Sequence, residues 1–391
     1  MDKKRNIFKY IKNDLKDKMV FIGGPRQVGK TTLAKQIGQS EYGKYMYLNW
    51  DNHRDRKDIL NSRFDPEASL IIFDEIHKYA KWKNYIKGEY DVNKDKYNIL
   101  ITGSARLDLY RHGGDSLMGR YHYFRLHPFT LAELLEIDNK IKIKEDLSFI
   151  NNVKSEKIFD DMFIFGGFPE PFLKKNMRTL RRFHNERQDR LIKEDIRDVE
   201  NIRDLSALQI LAQILPDKVG SLFSLNSLRE DLQVTHKTIS SWVDILERFY
   251  YHFRIYPYSA STIKSLRKEP KLYLWDWSQL EKRGSRLENM VASHLLKFSH
   301  TLQDAEGYNV ELKFLRDIEG REVDFLITID KKPWFAVEVK LSDKKPSKHL
   351  KYFKERIKIP FLYQVIETKG VDFKQDDIRI MSVNKFLTAL M

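Results

Sequence analysis

The sequence predicts an α/β protein in three parts: a parallel sheet with crossover helices over residues 1–145, a helical linker with a winged helix over 146–260, and a second α/β domain over 261–391. Two observations carry this reading. Short β-prone runs alternate with helix-like stretches in the first third and again in the last, the pattern of strands joined by crossover helices. Between them the order is helix, short turn, helix and aromatic strand, which is the order of a winged helix. A length of 391 residues exceeds one ordinary domain, so two or three are expected on size alone.

In the first part the strands are Met19-Val20-Phe21-Ile22, Met46-Tyr47-Leu48, Leu70-Ile71-Ile72-Phe73 and Asn98-Ile99-Leu100-Ile101-Thr102, bounded by Gly, Asp or Asn. A helix from Thr130, with Thr-Leu-Ala-Glu as a capping box, is expected to close this unit, and the charged stretch 139–156 to form the boundary. The middle part is helical over 159–218, apart from the turn Gly166-Gly167-Phe168-Pro169. Helices at 225–231 and 236–248 then flank a break at Gln233-Val234-Thr235, followed by a strand at 250–256. The last part has strands at 271–275 and 310–315, a hairpin-like pair at 322–329 and 334–341 with its turn at Lys331-Lys332-Pro333, and helices at 285–298 and 350–356.

Composition narrows the function classes. The absence of cysteine excludes disulfides, thiolate zinc sites and Cys nucleophiles. No apolar run approaches the roughly 20 residues of a bilayer span. The charged start, Met1-Asp2-Lys3-Lys4-Arg5-Asn6, leads into no apolar export signal, so a cytoplasmic location away from membranes is expected. A net charge of +14 and a pI near 9.4 point to an anionic partner, with nucleic acid, here DNA, as the expectation. The densest basic cluster is Lys174, Lys175, Arg178, Arg181 and Arg182; a solvated helix face is its bland reading. Isolated histidines such as His77 and His112 show no zinc spacing.

One motif is specific. Gly24-Pro25-Arg26-Gln27-Val28-Gly29-Lys30-Thr31 fits G-x-x-x-x-G-K-[ST] without mismatch, between a predicted strand and a predicted helix. Its glycines let backbone amides converge on phosphates at the positive end of the helix that follows. The set expected to hold ATP runs from Gly24 through Pro25, Arg26, Gln27, Val28, Gly29 and Lys30 to Thr31 and the adjoining Thr32. Lys30 is expected to reach the β- and γ-phosphates, and the Thr31 hydroxyl to bind Mg²⁺. Asp74 and Glu75, directly after an apolar strand, suit the second Mg²⁺ contact and the base that polarises the attacking water. Thr102 or Ser104 is the candidate γ-phosphate sensor. Arg106, Arg111 and Arg120 are candidates for transition-state charge, and an arginine acting in trans would require a homo-oligomer.

The motifs Gly24 to Thr32, Asp74-Glu75-Ile76-His77, Gly103-Ser104-Ala105 and Leu117-Met118-Gly119-Arg120 resemble the AAA-type ATPases of the AAA_14 group. Gly167-Phe168-Pro169-Glu170, Pro270-Lys271-Leu272-Tyr273, Glu288-Asn289 and Glu322-Val323-Asp324-Phe325 resemble the DUF4143 region that follows such ATPases in many prokaryotic proteins. The resemblance covers nearly the whole chain. It implies an AAA-like P-loop NTPase sheet, a winged helix and a C-terminal restriction-endonuclease-like domain. Trp277 departs from it, since a small residue is expected after Asp276.

A second candidate site lies in the last part. Asp324 and Glu338-Val339-Lys340 form D-x₁₃-E-x-K, with Glu338 and Lys340 on one strand face, and Glu288 on the preceding helix could join them. This resembles the PD-(D/E)xK nuclease arrangement: Glu288, Asp324 and Glu338 would bind Mg²⁺, and Lys340 would activate water and steady charge on phosphorus. A surface charge pair is the ordinary explanation of a bare E-x-K. At the predicted recognition helix, Thr235, His236, Lys237 and Ser240 are candidates for DNA contact, with Trp242, Ile245, Leu246 and Phe249 as the buried face.

The leading expectation is an ATP-hydrolysing AAA-type ATPase coupled to a DNA-associated, Mg²⁺-dependent nuclease half. The alternative is an ATP-dependent regulatory switch whose catalytically silent C-terminal half binds a protein or DNA partner. A motor without nuclease function is the third.

Overall fold

A computed structural model describes residues 3–103, 117–197, 202, 204–259 and 268–391, divided into two compact units, Met1–His127 and Pro128–Met391. The first unit contains α1 (Phe8–Asp14), β1 (Met19–Gly23), α2 (Lys30–Glu41), β2 (Tyr45–Asn49), α3 (His53–Leu60), β3 (Leu70–Asp74), α4 (Trp82–Asn93), β4 (Asn98–Thr102) and β5 (Tyr121–Arg125). Its five strands form one parallel sheet in the order β2-β3-β4-β1-β5. β1 and β3 are buried at every position, as expected of interior strands covered on both faces, whereas β2 at an edge is mostly half-buried. One face packs Phe21, Ile71, Phe73, Trp82 and Ile86 together, and Phe21 stacks on Tyr121 at 4.3 Å between ring centroids. The sequence expectation omitted β5. Its residues, Tyr-His-Tyr-Phe-Arg, lack a continuous apolar run because they form the other edge.

Parallel strands end on the same side, and the register makes this useful. Asp74 pairs with both Asn49 and Thr102, and Thr102 pairs with Ile22, so the four C-terminal strand ends lie in line. The edge also receives Gly23, where the chain leaves β1 for the phosphate loop.

The second unit begins with α5 (Leu131–Leu134), α6 (Ser155–Phe165), α7 (Pro169–Lys174), α8 (Met177–Arg190) and α9 (Leu205–Ile214). Next come α10 (Leu225–Asp231), α11 (His236–Arg248), β6 (His252–Pro257), β7 (Lys271–Leu274), α12 (Arg283–Glu306), β8 (Val310–Arg316), β9 (Glu322–Ile329) and β10 (Lys332–Lys340). The chain ends with α13 (Lys348–Ile357), β11 (Phe361–Ile366), β12 (Asp372–Gln375), β13 (Ile378–Ser382) and α14 (Val383–Leu387). A mixed sheet of eight strands, ordered β12-β13-β11-β10-β9-β8-β6-β7, spans the unit. The 24-residue α12 buries Leu287, Met290, Val291, Leu295 and Phe298, and ends where Gly307 takes the left-handed conformation.

The capping box forms at Thr130 and Glu133, and α5 lies within the second compact unit. Glu133 forms a buried ion pair with Lys297, the Leu131 amide donates to His294 Nε2 at 3.2 Å, and the Thr130 hydroxyl donates to the Met391 carbonyl at 3.4 Å. The expected division at 260 falls inside the eight-stranded sheet, where β6 pairs with β7 on one side and β8 on the other. A local pattern of helix, turn, helix and strand does not say which sheet its strand will join.

The β9–β10 turn also differs. Asp330 and Lys331 both have positive φ, 51° and 65°, as in a two-residue hairpin turn, so β10 starts at Lys332. Pro333, which lacks an N–H, is accommodated beside a register shift between Pro333 and Phe335. Trp277 is buried, with its indole N–H donating to the Met162 carbonyl at 2.9 Å. The small residue expected after Asp276 is supplied from elsewhere: a Cβ at Gly167 would lie 2.6 Å from the Trp277 ring.

No helix among the described residues is long and apolar enough to cross a membrane. Phe335 is fully buried and contacts Phe298, Trp334 and Tyr363 at 5.2–6.1 Å between centroids. Phe335→Ala is therefore expected to destabilise the second unit by about 3–5 kcal/mol, measured as a shifted transition in urea unfolding followed by tryptophan fluorescence.

Candidate functional site

The phosphate loop links β1 to α2. Gly24 has φ 136°, and a Cβ there would meet the Leu126 carbonyl oxygen at 2.4 Å; Gly29 has φ 101° and caps α2. Both positions therefore require glycine. Lys30 is buried, and its ammonium donates to the carbonyls of Gly24 at 2.9 Å and Pro25 at 2.7 Å. Arg5, also buried, donates to the carbonyls of Val28 and His127, tying the loop to the end of the first unit. Nothing in the motif pointed to Arg5, because it lies 23 residues upstream.

Asp74 is only 4% exposed and accepts three hydroxyl hydrogen bonds: from Thr31 at 2.8 Å, Tyr47 at 2.6 Å and Thr102. Thr31 and Asp74 thus come together as the motif predicts. Their oxygen-only donor set fits Mg²⁺, a hard cation that takes carboxylate and hydroxyl oxygens. Tyr47 was read only as a strand residue. Burial, followed by its hydrogen bond to Asp74, pushes its pKa up, so it stays a donor. Thr102 was one of two sensor candidates, and it contacts Asp74. The other, Ser104, lies outside the described residues, as do Arg106, Arg111 and His112.

Glu75 sits in the left-handed region at φ 58°, its amide donating to the Thr102 carbonyl at 3.0 Å. Such a conformation costs of order 1–3 kcal/mol in a non-glycine residue and aims the side chain out of the strand direction. Burial raises the Glu75 pKa against the opposing pull of Lys30 and Lys78. His77 Nε2 lies 3.4 Å from its carboxylate and Lys78 Nζ 3.7 Å away. A carboxylate with a raised pKa is a stronger base, the property a water-activating group needs. Arg120 precedes β5, whose first residue pairs with Met19 at the start of β1. It therefore lies at the opposite end of the sheet from Asp74, with its guanidinium 2.7 Å from Asp91.

The sequence comparisons agree with this geometry. Residues 16–135 match an AAA domain of the AAA_14 family, 156–282 a domain of unknown function, DUF8612, and 283–386 a second, DUF4143. The chain carries an AAA domain and a DUF4143 domain. The motifs at Gly167–Glu170 and Pro270–Tyr273, expected within DUF4143, fall in the DUF8612 region instead. Two uncharacterised proteins of Methanocaldococcus jannaschii are 25% and 26% identical to this chain, over 90% and 91% of it and 82% of each relative. Among solved structures, the Thermotoga maritima RuvB Holliday junction branch migration motor is 19% identical, covering 64% of this chain and 88% of its own, with a TM-score of 0.30. A Bacteroides Pif1 bound to single-stranded DNA is 13% identical, covering 42% and 57%, with a TM-score of 0.23. Superpositions this loose carry no functional weight.

The second candidate cluster lies where β7, α12, β9 and β10 meet. Asp324 Oδ2 accepts from the Val339 amide at 2.8 Å, and Lys340 Nζ lies 2.7 Å from Glu338 Oε1. Asp324, Glu338 and Lys340 are thus neighbours, as the D-x₁₃-E-x-K spacing suggests. Glu288 accepts from the Tyr273 hydroxyl at 2.7 Å. What the motif did not contain is Lys271. Its buried ammonium lies 2.5 Å from Glu322, 3.5 Å from Glu288 and 3.6 Å from Asp324. Among the described residues, no three His, Cys, Asp or Glu side chains are grouped to hold a metal ion. The expected set of Glu288, Asp324 and Glu338 is interrupted because a lysine ammonium bridges two of its members.

Burial, and then the Asp324 charge, pushes both Glu288 and Glu338 up to about 7. A carboxyl whose folded pKa is raised contributes stability below its unfolded pKa of 4.5, and that contribution is lost as pH rises through about 7. The advantage of Glu338→Gln over wild type in urea unfolding, with chelator present, is therefore expected to grow between pH 4.5 and 7 and then level off.

Proposed function

We propose that this protein binds ATP with Mg²⁺ and hydrolyses it at the Lys30, Thr31, Asp74 and Glu75 site, and that nucleotide state acts on a DNA-binding, non-cleaving C-terminal unit. The single observation that carries the ATPase reading is the alignment of strand ends that sets Asp74 against Thr31 at 2.8 Å and Glu75 directly beyond it. In this mechanism the loop amides and the Lys30 ammonium hold the β- and γ-phosphates, Lys30 exchanging the carbonyls of Gly24 and Pro25 for phosphate oxygens. Thr31 and Asp74 would hold Mg²⁺, which would supply charge neutralisation at those phosphates. Glu75 orients the attacking water and takes its proton, with His77 and Lys78 beside its carboxylate. Tyr47 and Thr102 hold Asp74 in place. Arg120, at the far end of its own sheet, serves a γ-phosphate only in trans, in a homo-oligomer.

DNA as the partner is supported by the net charge of +14 and by α11, whose start exposes Thr235, His236 and Lys237 with Ser240 half-exposed. Trp242, Ile245 and Leu246 form its buried face, leaving the polar face available. The cluster on α7 and α8 is a weaker candidate, since Lys174, Lys175 and Arg182 already pair with Glu170, Asp161 and Glu186. A second reading, Mg²⁺-dependent cleavage of DNA, is favoured by one observation: Asp324 lies against the strand that carries Glu338 and Lys340.

In a phosphate-release assay, Lys30→Ala is expected to lose nucleotide binding and turnover. Glu75→Gln should keep ATP binding within a few-fold and lower kcat by at least about 10²-fold. An unchanged kcat in Glu75→Gln would remove Glu75 as the base. For DNA, Lys237→Ala should weaken duplex binding and reduce the slope of log affinity against log salt by about one. Incubation of wild type and Glu338→Ala with duplex, single-stranded and branched DNA, Mg²⁺ and ATP should leave every substrate intact. Cleavage lost in the mutant would establish the nuclease reading instead.

A further inference from the structure

Lys271 occupies an unusual position for a lysine. It is 2% exposed, and its ammonium faces Glu322, Glu288 and Asp324 at 2.5, 3.5 and 3.6 Å. Three oxygen-bearing anions around one cation is the surrounding a divalent metal ion would take. Its stem has little room to withdraw. β7 is paired along Lys271 by Ile255 of β6 and bridged on the other side by Leu222. Flanking hydrogen bonds run from the Phe223 amide to the Pro270 carbonyl at 2.8 Å and from the Gly220 amide to the Leu272 carbonyl at 3.2 Å. Gly220 also packs so closely that a Cβ there would lie 3.1 Å from the Glu288 carboxylate. Two residues along the same strand face, the Tyr273 hydroxyl donates to the same Glu288 oxygen, Oε1, that Lys271 approaches.

The carboxylates are committed accordingly. Glu322 is shared between Lys271 and Arg316, which lies 2.7 Å away. Asp324 divides its two oxygens between Lys271 and the Val339 amide, and Glu338 gives Oε1 to Lys340. Glu338 Oε2 is a buried oxygen without a partner. A metal ion here would use that oxygen together with Asp324 and Glu288, and the last two are the ones Lys271 bridges. An ammonium and a divalent cation cannot share this space. The buried lysine holds its proton, because the pull of Glu288, Asp324 and Glu322 outweighs the burial that would otherwise lower its pKa.

We propose that the Lys271 ammonium is a built-in cation that takes the place of a divalent metal ion in this carboxylate cluster, so that the wild-type cluster binds neither Mg²⁺ nor Mn²⁺ and neutralising Lys271 opens a metal site. The proposal goes beyond the ATPase reading and does not rest on it, because no nucleotide is involved. It deepens the reading of the C-terminal unit as non-cleaving, since the nuclease-like spacing of Asp324, Glu338 and Lys340 then holds no metal ion.

The test is a Mn²⁺ titration of the full chain without nucleotide, followed by the electron paramagnetic resonance signal of free Mn²⁺. Wild type, Asp324→Asn and Glu338→Gln should show the same stoichiometry. Lys271→Met should gain one Mn²⁺ per chain, and Lys271→Met combined with Glu338→Gln should lose it. Lys271→Gln, which keeps a hydrogen-bond donor without the charge, repeats the measurement should the Met variant not fold. Two results would overturn the proposal: wild type binding a Mn²⁺ that Asp324→Asn or Glu338→Gln removes, or folded Lys271 variants gaining none. The wild-type arm decides the first independently of how the lysine variants fold. Loss of ATPase activity in Lys30→Ala changes neither arm, so failure of the nucleotide site and failure of this proposal are distinguishable.

Discussion

Burying an ionic group costs several kcal/mol unless the fold brings a partner to it, and both units are arranged around that requirement. In the first, Asp74 can be buried because three hydroxyls from three different elements, Thr31, Tyr47 and Thr102, converge on it. That convergence holds the phosphate loop's helix against β3, β2 and β4 and thereby assembles the nucleotide site. In the second, Lys271 draws Glu288 from α12 and Glu322 and Asp324 from β9 around one ammonium. Lys297 does the same for Glu133, joining α12 to α5. Asp74, Lys271 and Lys297 are therefore cross-links between elements distant in sequence.

The two candidate sites use this constraint differently. At Asp74 the partners are neutral hydroxyls, which water or a metal ion can replace. At Asp324 and Glu288 the partner is a covalently tethered cation held by strand pairing on both sides. An exchangeable site suits nucleotide turnover, whereas a site satisfied from within suits a stable scaffold. Glu75 lies between these extremes: its half-buried carboxylate stands on a left-handed backbone that stores strain at the point where water activation would need it.

Much of the first unit was legible because its signals are local. A buried parallel strand must be apolar along its whole length, so β1, β3 and β4 stood out, and the glycine-lysine-threonine spacing identified the loop by itself. β5 was not legible, since an edge strand tolerates polar residues and so carries no continuous run. The end of the sheet at which Arg120 emerges was not legible either. Sequence proximity to the sensor strand does not say at which end of the sheet a residue emerges, and the β1–β5 register puts it at the N-terminal end.

In the second unit, the residue types and spacing of Asp324, Glu338 and Lys340 were visible, and the structure brings them together. The sequence by itself determined β1, β3 and β4, the phosphate loop, the acids after β3 and this triad, because each is encoded within a few residues or within one hairpin. Only the tertiary structure decided that α5 lies in the second unit, that β6 joins the C-terminal sheet, and that Lys271, 53 residues before Asp324, sits among the acids. The physical reason is that strand pairing and buried charge compensation act across space between residues far apart in the chain, and no local pattern records which distant partner will be met.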